Sequence, residues 1–184
     1  MSKMQKNTRI IKTVICLAVA LLVTLFDQIT KLIVVKNMEL GESVDVIKGV
    51  FRFTYITNDG SAFGMFADSR WVFMVFSTLG ICAMIAYVVA FAKENSTFTT
   101  VSFGMVIGGG IGNMIDRIFN GENVGDGVVI DFLDFCAFPE IWKWIFNVAD
   151  SFVCVGVALL FLSFVLEEVK RFRKNRSESL TENL

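Results

Sequence analysis

Four long stretches of apolar residues constrain this chain more than any other feature of its sequence. They run from Ile10 to Val35, from Trp71 to Ala92, from Phe98 to Ile115 and from Trp144 to Leu166. The second and third stretches contain no charged residue, and the fourth contains only Asp150. A helix needs roughly 20 apolar residues to cross the ~30 Å hydrocarbon core of a bilayer, so each stretch is long enough to span it.

The fold class predicted from these stretches is an all-α integral membrane protein with one domain, residues 1–184. Its transmembrane helices are expected at about residues 10–35, 71–92, 98–118 and 144–169. Composition agrees, because 54% of the residues are hydrophobic and 19% are charged, with a mean hydropathy of +0.63. A chain with so few polar residues cannot cover the surface of a soluble globule.

Charge and residue content exclude several classes of function. The net charge of −1 gives no basic excess, so no nucleic-acid partner is expected. The chain contains no histidine, which excludes Ser-His-Asp and Cys-His catalysis in their usual forms as well as HExxH zinc sites. The four cysteines lie far apart without a CxxC pair, so they do not form a metal-binding motif. We therefore expect neither a metal nor an organic cofactor.

Basic residues at the two ends of the chain predict its orientation. Four lie in the first twelve positions and five follow the last apolar stretch, at Lys170, Arg171, Arg173, Lys174 and Arg176. The positive-inside rule then places both termini, including a polar tail at about 170–184, in the cytoplasm. Residues 36–70 and 119–143 would face outward. Within the first of these segments, alternating Phe51, Phe53 and Tyr55 predict a small extracytoplasmic β-sheet.

Polar residues gather near the outer ends of the predicted helices, where burial in a membrane is costly and usually has a functional reason. They are Asp27 and Lys31; Asn113, Asp116 and Arg117; Asn147 and Asp150; and, in the outer segments, Asn58, Asp59, Gly60, Asp131 and Asp134. Taken singly, each group is more often structural than functional. Asp27 and Lys31, four residues apart, are typical of an ion pair within one helix. All the groups can nevertheless converge at one depth.

Aspartates without histidine can still activate water. Two carboxyl groups held close together cannot both ionise easily, so one keeps its proton and the other stays charged. The charged group takes a proton from water, and the protonated group hydrogen-bonds the carbonyl that is attacked. Asp131 and Asp150 suit this role because neither has a basic neighbour in sequence, whereas Asp116 is followed by Arg117. Spacing alone does not decide among them.

Five motifs in order give the chain a resemblance to a known family. They are Asp27-Gln28-Ile29-Thr30-Lys31, Asn58-Asp59-Gly60-Ser61-Ala62-Phe63, the run from Gly109 to Arg117, Val129-Ile130-Asp131-Phe132, and the run from Phe146 to Ser151. With four helices at matching places, the chain resembles lipoprotein signal peptidase (signal peptidase II), a family of bacterial membrane aspartic proteases. It departs from the family in a longer stretch at Asn120–Asp126 and in Trp142-Lys143-Trp144-Ile145, where a proline is common.

The resemblance implies a role for each matching position. The catalytic pair would be Asp131 and Asp150. Substrate-site residues would be Asn58, Gly60, Asn113, Arg117 and Asn147, and supporting residues would be Asp27, Lys31 and Asp116. The implied substrate is a prolipoprotein whose cysteine carries diacylglycerol, cleaved just before that cysteine. The implied location is the bacterial cytoplasmic membrane, among its lipids, with the active site near the outer face and the protein expected as a monomer.

A second hypothesis from another class is a small non-enzymatic membrane carrier. Intramembrane carboxylates, such as Asp27 and Asp150, would then line a transport path. Against it, the polar residues gather at one end of the helices, and no paired helix breaks of the kind found in inverted-repeat carriers are visible. Replacement of Asp131 separates the two, since it would cause either precursor accumulation or loss of transport.

Overall fold

The structure is a computed structural model that describes residues 3–59 and 70–182. Its helices are α1 (Lys3–Asn37), α2 (Arg70–Phe91), α3 (Thr97–Phe119) and α4 (Val148–Glu182). Its strands are β1 (Ser43–Ile47), β2 (Phe51–Asn58), β3 (Val129–Phe135) and β4 (Ile145–Phe146). In the described part of the chain, four helices are long and apolar enough to cross a membrane. The predicted fold class, four such helices with a small sheet, is confirmed.

Helix α3 lies at the centre of the bundle, where its glycines let two neighbours approach closely. A methyl group on Gly108 would lie 2.5 Å from the carbonyl oxygen of Ala20 on α1. A methyl group on Gly109 would lie 2.4 Å from that of Ala149 on α4. Helix α2 packs mainly against α3 at the periphery. The close approach of α1 and α4 to α3 brings their polar residues within hydrogen-bonding distance of one another.

The four strands form one antiparallel sheet in the order β1-β2-β3-β4. The alternation predicted around Phe53 is present, and the Phe51 and Phe53 rings stack edge to face at 5.5 Å. Phe53 also contacts Phe132 on β3, at 6.0 Å between ring centroids, and Phe132 packs against Val34 near the end of α1. This aromatic layer holds β3, and therefore Asp131, over the ends of the helices.

The boundaries of the fourth helix differ from the prediction. We expected it to begin near residue 144, but Ile145 and Phe146 pair with Asp134 and Leu133 as a fourth strand, and the helix begins at Val148. Two of the four strands therefore come from outside the segment predicted to hold the sheet. The helix also continues to Glu182 instead of ending near 169, because no glycine or proline interrupts residues 157–182.

Candidate active site

One end of the bundle collects the polar residues singled out in the sequence. The carboxyl ends of α1 and α3, the amino end of α4 and strand β3 meet there. A single hydrogen-bonded network joins eight of the predicted residues, namely Asp27, Lys31, Asn58, Asn113, Asp116, Asp131, Asn147 and Asp150. Arg117 lies beside it and donates from Nη1 to the Asn113 carbonyl oxygen at 3.2 Å. The remaining predicted residue, Gly60, lies outside the described residues.

Asp131 is the most enclosed carboxyl group of the sheet, with 1% of the residue exposed. Its Oδ2 accepts a hydrogen bond from Asn58 Nδ2 at 2.9 Å, and its Oδ1 accepts one from Asn147 Nδ2 at 2.7 Å. Burial and the nearby charge of Asp150 raise the pKa of Asp131 from 3.8 to about 7, although both amide hydrogen bonds oppose the rise. Asp131 can therefore hold a proton at neutral pH.

Asp150 sits in the first turn of α4 and is half-buried. Asn147 caps this helix, because its Oδ1 accepts from the backbone N–H of Asp150 at 2.9 Å. Asp150 Oδ2 in turn accepts from the backbone N–H of Asn147 at 3.3 Å, which completes a reciprocal capping box. The positive end of the helix dipole favours a negative charge at this position.

Two asparagine amides connect the aspartates. Asn147 Nδ2 donates to Asp131 Oδ1 and also to Asn113 Oδ1 at 2.9 Å. Asn113 Nδ2 donates to Asp150 Oδ1 at 2.7 Å. Both amides use the nitrogen as donor and the oxygen as acceptor within the network, and rotation of either amide would break several bonds at once. The network holds the two carboxyl groups beside each other in a fixed orientation.

A buried ion cluster lies beneath the aspartate pair. Lys31 Nζ is 2.7 Å from Asp27 Oδ2 and 2.8 Å from Asp116 Oδ2, and it also donates to Asn113 Oδ1 at 3.1 Å. The three charged side chains are no more than 4% exposed. The ion pair expected within helix 1 is present, and Asp116 from α3 extends it. The ammonium group offsets one carboxylate charge, and hydrogen bonds from backbone N–H groups help to stabilise both carboxylates in this buried site.

The same two carboxylates bind the backbone next to the aspartate pair. Asp27 Oδ1 accepts from the N–H of Ala149 at 2.9 Å, and Ala149 directly precedes Asp150. Asp116 Oδ2 accepts from the N–H of Ile130 at 3.3 Å, one residue before Asp131. The ion cluster therefore fixes the chain on which each aspartate of the pair is mounted.

Gln28 is a residue of this site that the sequence reasoning did not single out. Its Nε2 donates to Asp116 Oδ1 at 2.9 Å and to the Gly112 carbonyl oxygen at 3.1 Å, linking α1 to α3. A polar side chain next to Asp27 in an apolar helix was the signal that could have identified it.

Four membrane helices and a small sheet that together hold an amide-bridged aspartate pair at one end are the features of a membrane peptidase of the aspartic class. Comparison with known families supports this assignment, since residues 19–166 match signal peptidase (SPase) II. The chain belongs to the signal peptidase II family. The resemblance drawn from the sequence is thereby confirmed, and membership of a peptidase family decides against the alternative of a carrier.

Individual relatives are similar to this protein over most of its length. The lipoprotein signal peptidase of Halalkalibacterium halodurans is 40% identical over 152 residues, which cover 83% of this chain and 92% of the relative. That of Bacillus subtilis is 39% identical over 153 residues, covering 83% and 94% respectively. A bacterial membrane enzyme solved by the in meso method at 2.3 Å resolution superposes with a TM-score of 0.73 at 29% identity, covering 83% of this chain and 88% of that enzyme.

Proposed function

We propose that this enzyme removes signal peptides from prolipoproteins whose cysteine carries diacylglycerol, by hydrolysing the peptide bond just before that cysteine. Similarity to proteins named lipoprotein signal peptidase supports the substrate class. The observation that carries the mechanism is the amide-bridged pair Asp131 and Asp150 at the end of the membrane helices. A site at this depth suits a substrate whose lipid and signal helix both lie in the bilayer.

In the proposed mechanism, the two aspartates have different tasks. Asp150 is charged, takes a proton from water and directs the resulting hydroxide at the scissile carbonyl carbon. Asp131 is protonated and donates a hydrogen bond to the carbonyl oxygen as negative charge develops there. The nearly complete burial of Asp131 supports this division, as does the place of Asp150 at the amino end of α4. The proton gained by Asp150 then passes to the leaving amine.

The proposed roles of the neighbouring residues follow from their contacts. Asn58, Asn113 and Asn147, which the sequence suggested as substrate residues, bind the carboxyl groups directly. We assign to them the orientation of the pair, with substrate contact as a second task. Arg117 and Gly60 keep their proposed place in substrate binding.

The ion cluster of Asp27, Lys31 and Asp116 has a supporting role, because it binds the backbone before each aspartate. For the whole enzyme we propose a monomer with both termini in the cytoplasm and the site near the outer face. The basic residues near both ends support this orientation. Membrane lipids and the lipid chains of the substrate would contact the exposed apolar faces of the helices.

Replacement of each aspartate tests the proposal. We expect purified Asp131→Asn and Asp150→Asn to insert and fold but to leave a diacylglyceryl-modified precursor uncleaved, because an amide cannot exchange the required proton. Asp134→Asn is a matched control on the same strand, since Asp134 binds Arg52 and Thr54 and not the pair. Wild-type cleavage by either folded variant of the pair would overturn the mechanism.

A further inference from the structure

The segment that connects β3 to β4, residues 136–144, carries a group of exposed apolar side chains outside the membrane-spanning helices. We call it the aromatic loop. Its exposed fractions are 61% for Phe138, 76% for Ile141, 42% for Trp142 and 45% for Trp144. We propose that the aromatic loop inserts into the interfacial layer of the bilayer, among the phospholipid headgroups, and so fixes the depth of the adjoining active site.

The backbone and the rings of the loop have a defined arrangement. The N–H groups of Ile141 and Trp142 both donate to the Phe138 carbonyl oxygen, at 3.0 and 2.8 Å. The Trp142 ring contacts those of Trp144 and Phe146 edge to face, at 5.5 and 6.1 Å. A hydrogen-bonded turn therefore holds the exposed apolar side chains of the loop in a defined arrangement.

The polar groups of the loop are compatible with an interfacial position. Trp142 Nε1 donates to the Trp144 carbonyl oxygen at 2.9 Å, so this indole can enter a poorly hydrated layer without losing a hydrogen bond. Glu140 and Lys143 are also exposed and carry opposite charges, which the headgroup region can accommodate. Tryptophan is enriched at this layer because its ring is apolar and its N–H is polar.

Chain connectivity allows the loop to reach the interfacial layer. Trp144 lies four residues before Val148, where a helix of membrane-spanning length begins. At no more than ~3.6 Å per residue, Trp144 lies within roughly 14 Å of the start of that helix. The interfacial layer on each side of a bilayer is about 5–8 Å thick, so the loop can reach it directly. The loop thus joins the first turn of α4 through the short strand β4.

The position of the loop in the chain links its depth in the bilayer to the depth of the active site. The loop is followed by β4, which pairs with β3, the strand that carries Asp131. Asn147 and Asp150 come immediately after β4, at the start of α4. A loop anchored among headgroups would hold both aspartates at a constant depth. This inference concerns how the protein sits in the bilayer, and it does not depend on which substrate is cleaved.

Tryptophan fluorescence in lipid vesicles tests the proposal. The chain has three tryptophans, so Trp71→Phe leaves only Trp142 and Trp144 as emitters. The protein is reconstituted in phosphatidylcholine vesicles whose chains carry bromine, a quencher, either close to the headgroups or near the chain ends. We expect loss of emission with shallow bromine, a smaller loss with deep bromine, and little quenching by acrylamide in the water.

A matched reporter distinguishes lipid contact from simple exposure. Val124 is also 76% exposed, but it lies between α3 and β3 among the polar residues Glu122, Asn123 and Asp126. Val124→Trp, with phenylalanine at the three native tryptophans, should be quenched by acrylamide and little by bromine. Ile141→Trp in the same background gives a single reporter within the loop, which shallow bromine should quench.

Two results would overturn the proposal. Strong acrylamide quenching of Trp142 and Trp144, with no effect of bromine, would show that the loop lies in water. Quenching by neither agent would show that protein covers the loop, for example a second copy of the chain. Activity on a precursor is not part of this readout, so the outcome is independent of the proposed function.

Discussion

Replacement of Gly109 by alanine should damage the active site by displacing the first turn of α4. A β-carbon at this position would lie 2.4 Å from the carbonyl oxygen of Ala149 and 2.8 Å from Val153 Cγ2. An ordinary van der Waals contact needs at least 3.4 Å. Helix α4 must therefore move away by about 1 Å, because the nearer atom belongs to the backbone and cannot rotate aside.

The expected loss of activity depends on the groups attached to the displaced backbone of α4. Ala149 precedes Asp150, and its N–H binds Asp27 Oδ1, so a shift of the first turn moves an aspartate of the pair and strains its anchor. A displacement of about 1 Å in a catalytic group can cost on the order of 100-fold in rate. Overpacking adds a loss of about 1–3 kcal/mol in stability. We expect Gly109→Ala to cleave a prolipoprotein precursor about 100-fold more slowly and to melt at a lower temperature.

The adjacent glycine provides the control. A β-carbon on Gly110 would meet only the end of the Ile81 side chain, at 3.1 Å, which can rotate. Both substitutions gain the same helix propensity, up to about 1 kcal/mol, so their difference isolates the contact with α4. Gly110→Ala should retain wild-type turnover and melt at or above the wild-type temperature. If the purified Gly109→Ala enzyme turned over within a few-fold of Gly110→Ala, the argument from close helix packing would be refuted.

Two further predictions concern the charges of the site. Because the pKa of Asp131 rises from 3.8 to about 7 on folding, the native state binds more protons between these values, and stability should fall as pH rises from about 4 to 7. Melting temperatures across this range should fall more steeply for the wild type than for Asp131→Asn, and parallel curves would contradict the assignment. Lys31→Met leaves Asp27 and Asp116 as buried, uncompensated carboxylates, which should cost about 3–5 kcal/mol. A thermal melt close to that of the wild type would show that the cluster is not needed for folding.

The fourth helix illustrates where local sequence patterns fail. The apolar run beginning at Trp144 predicted a helix start there, but Ile145 and Phe146 pair with β3 and the helix starts at Val148. Apolar residues suit a strand or a helix equally well over such a short distance. Residues 145 and 146 form a strand because β3 supplies hydrogen-bond partners, which the linear sequence does not reveal.

The sequence by itself determined the properties that depend on neighbouring residues. Four runs of sufficient apolar length predicted the helices, and alternation around Phe53 predicted the first hairpin of the sheet. The spacing of Asp27 and Lys31 predicted their ion pair, because residues four apart share one helix face. The motifs predicted the family, since their order along the chain is itself the evidence.

Only the tertiary structure decided how distant groups meet. No local pattern indicates that Asn147 joins Asp131 to Asn113, or that Asp27 binds the backbone before Asp150. Those contacts depend on how closely α1 and α4 approach α3, which the small glycine side chains permit, and on the register of β2 with β3. Helix formation and membrane insertion are governed by local composition, whereas the geometry of the aspartate pair is governed by packing between segments that are remote in the chain.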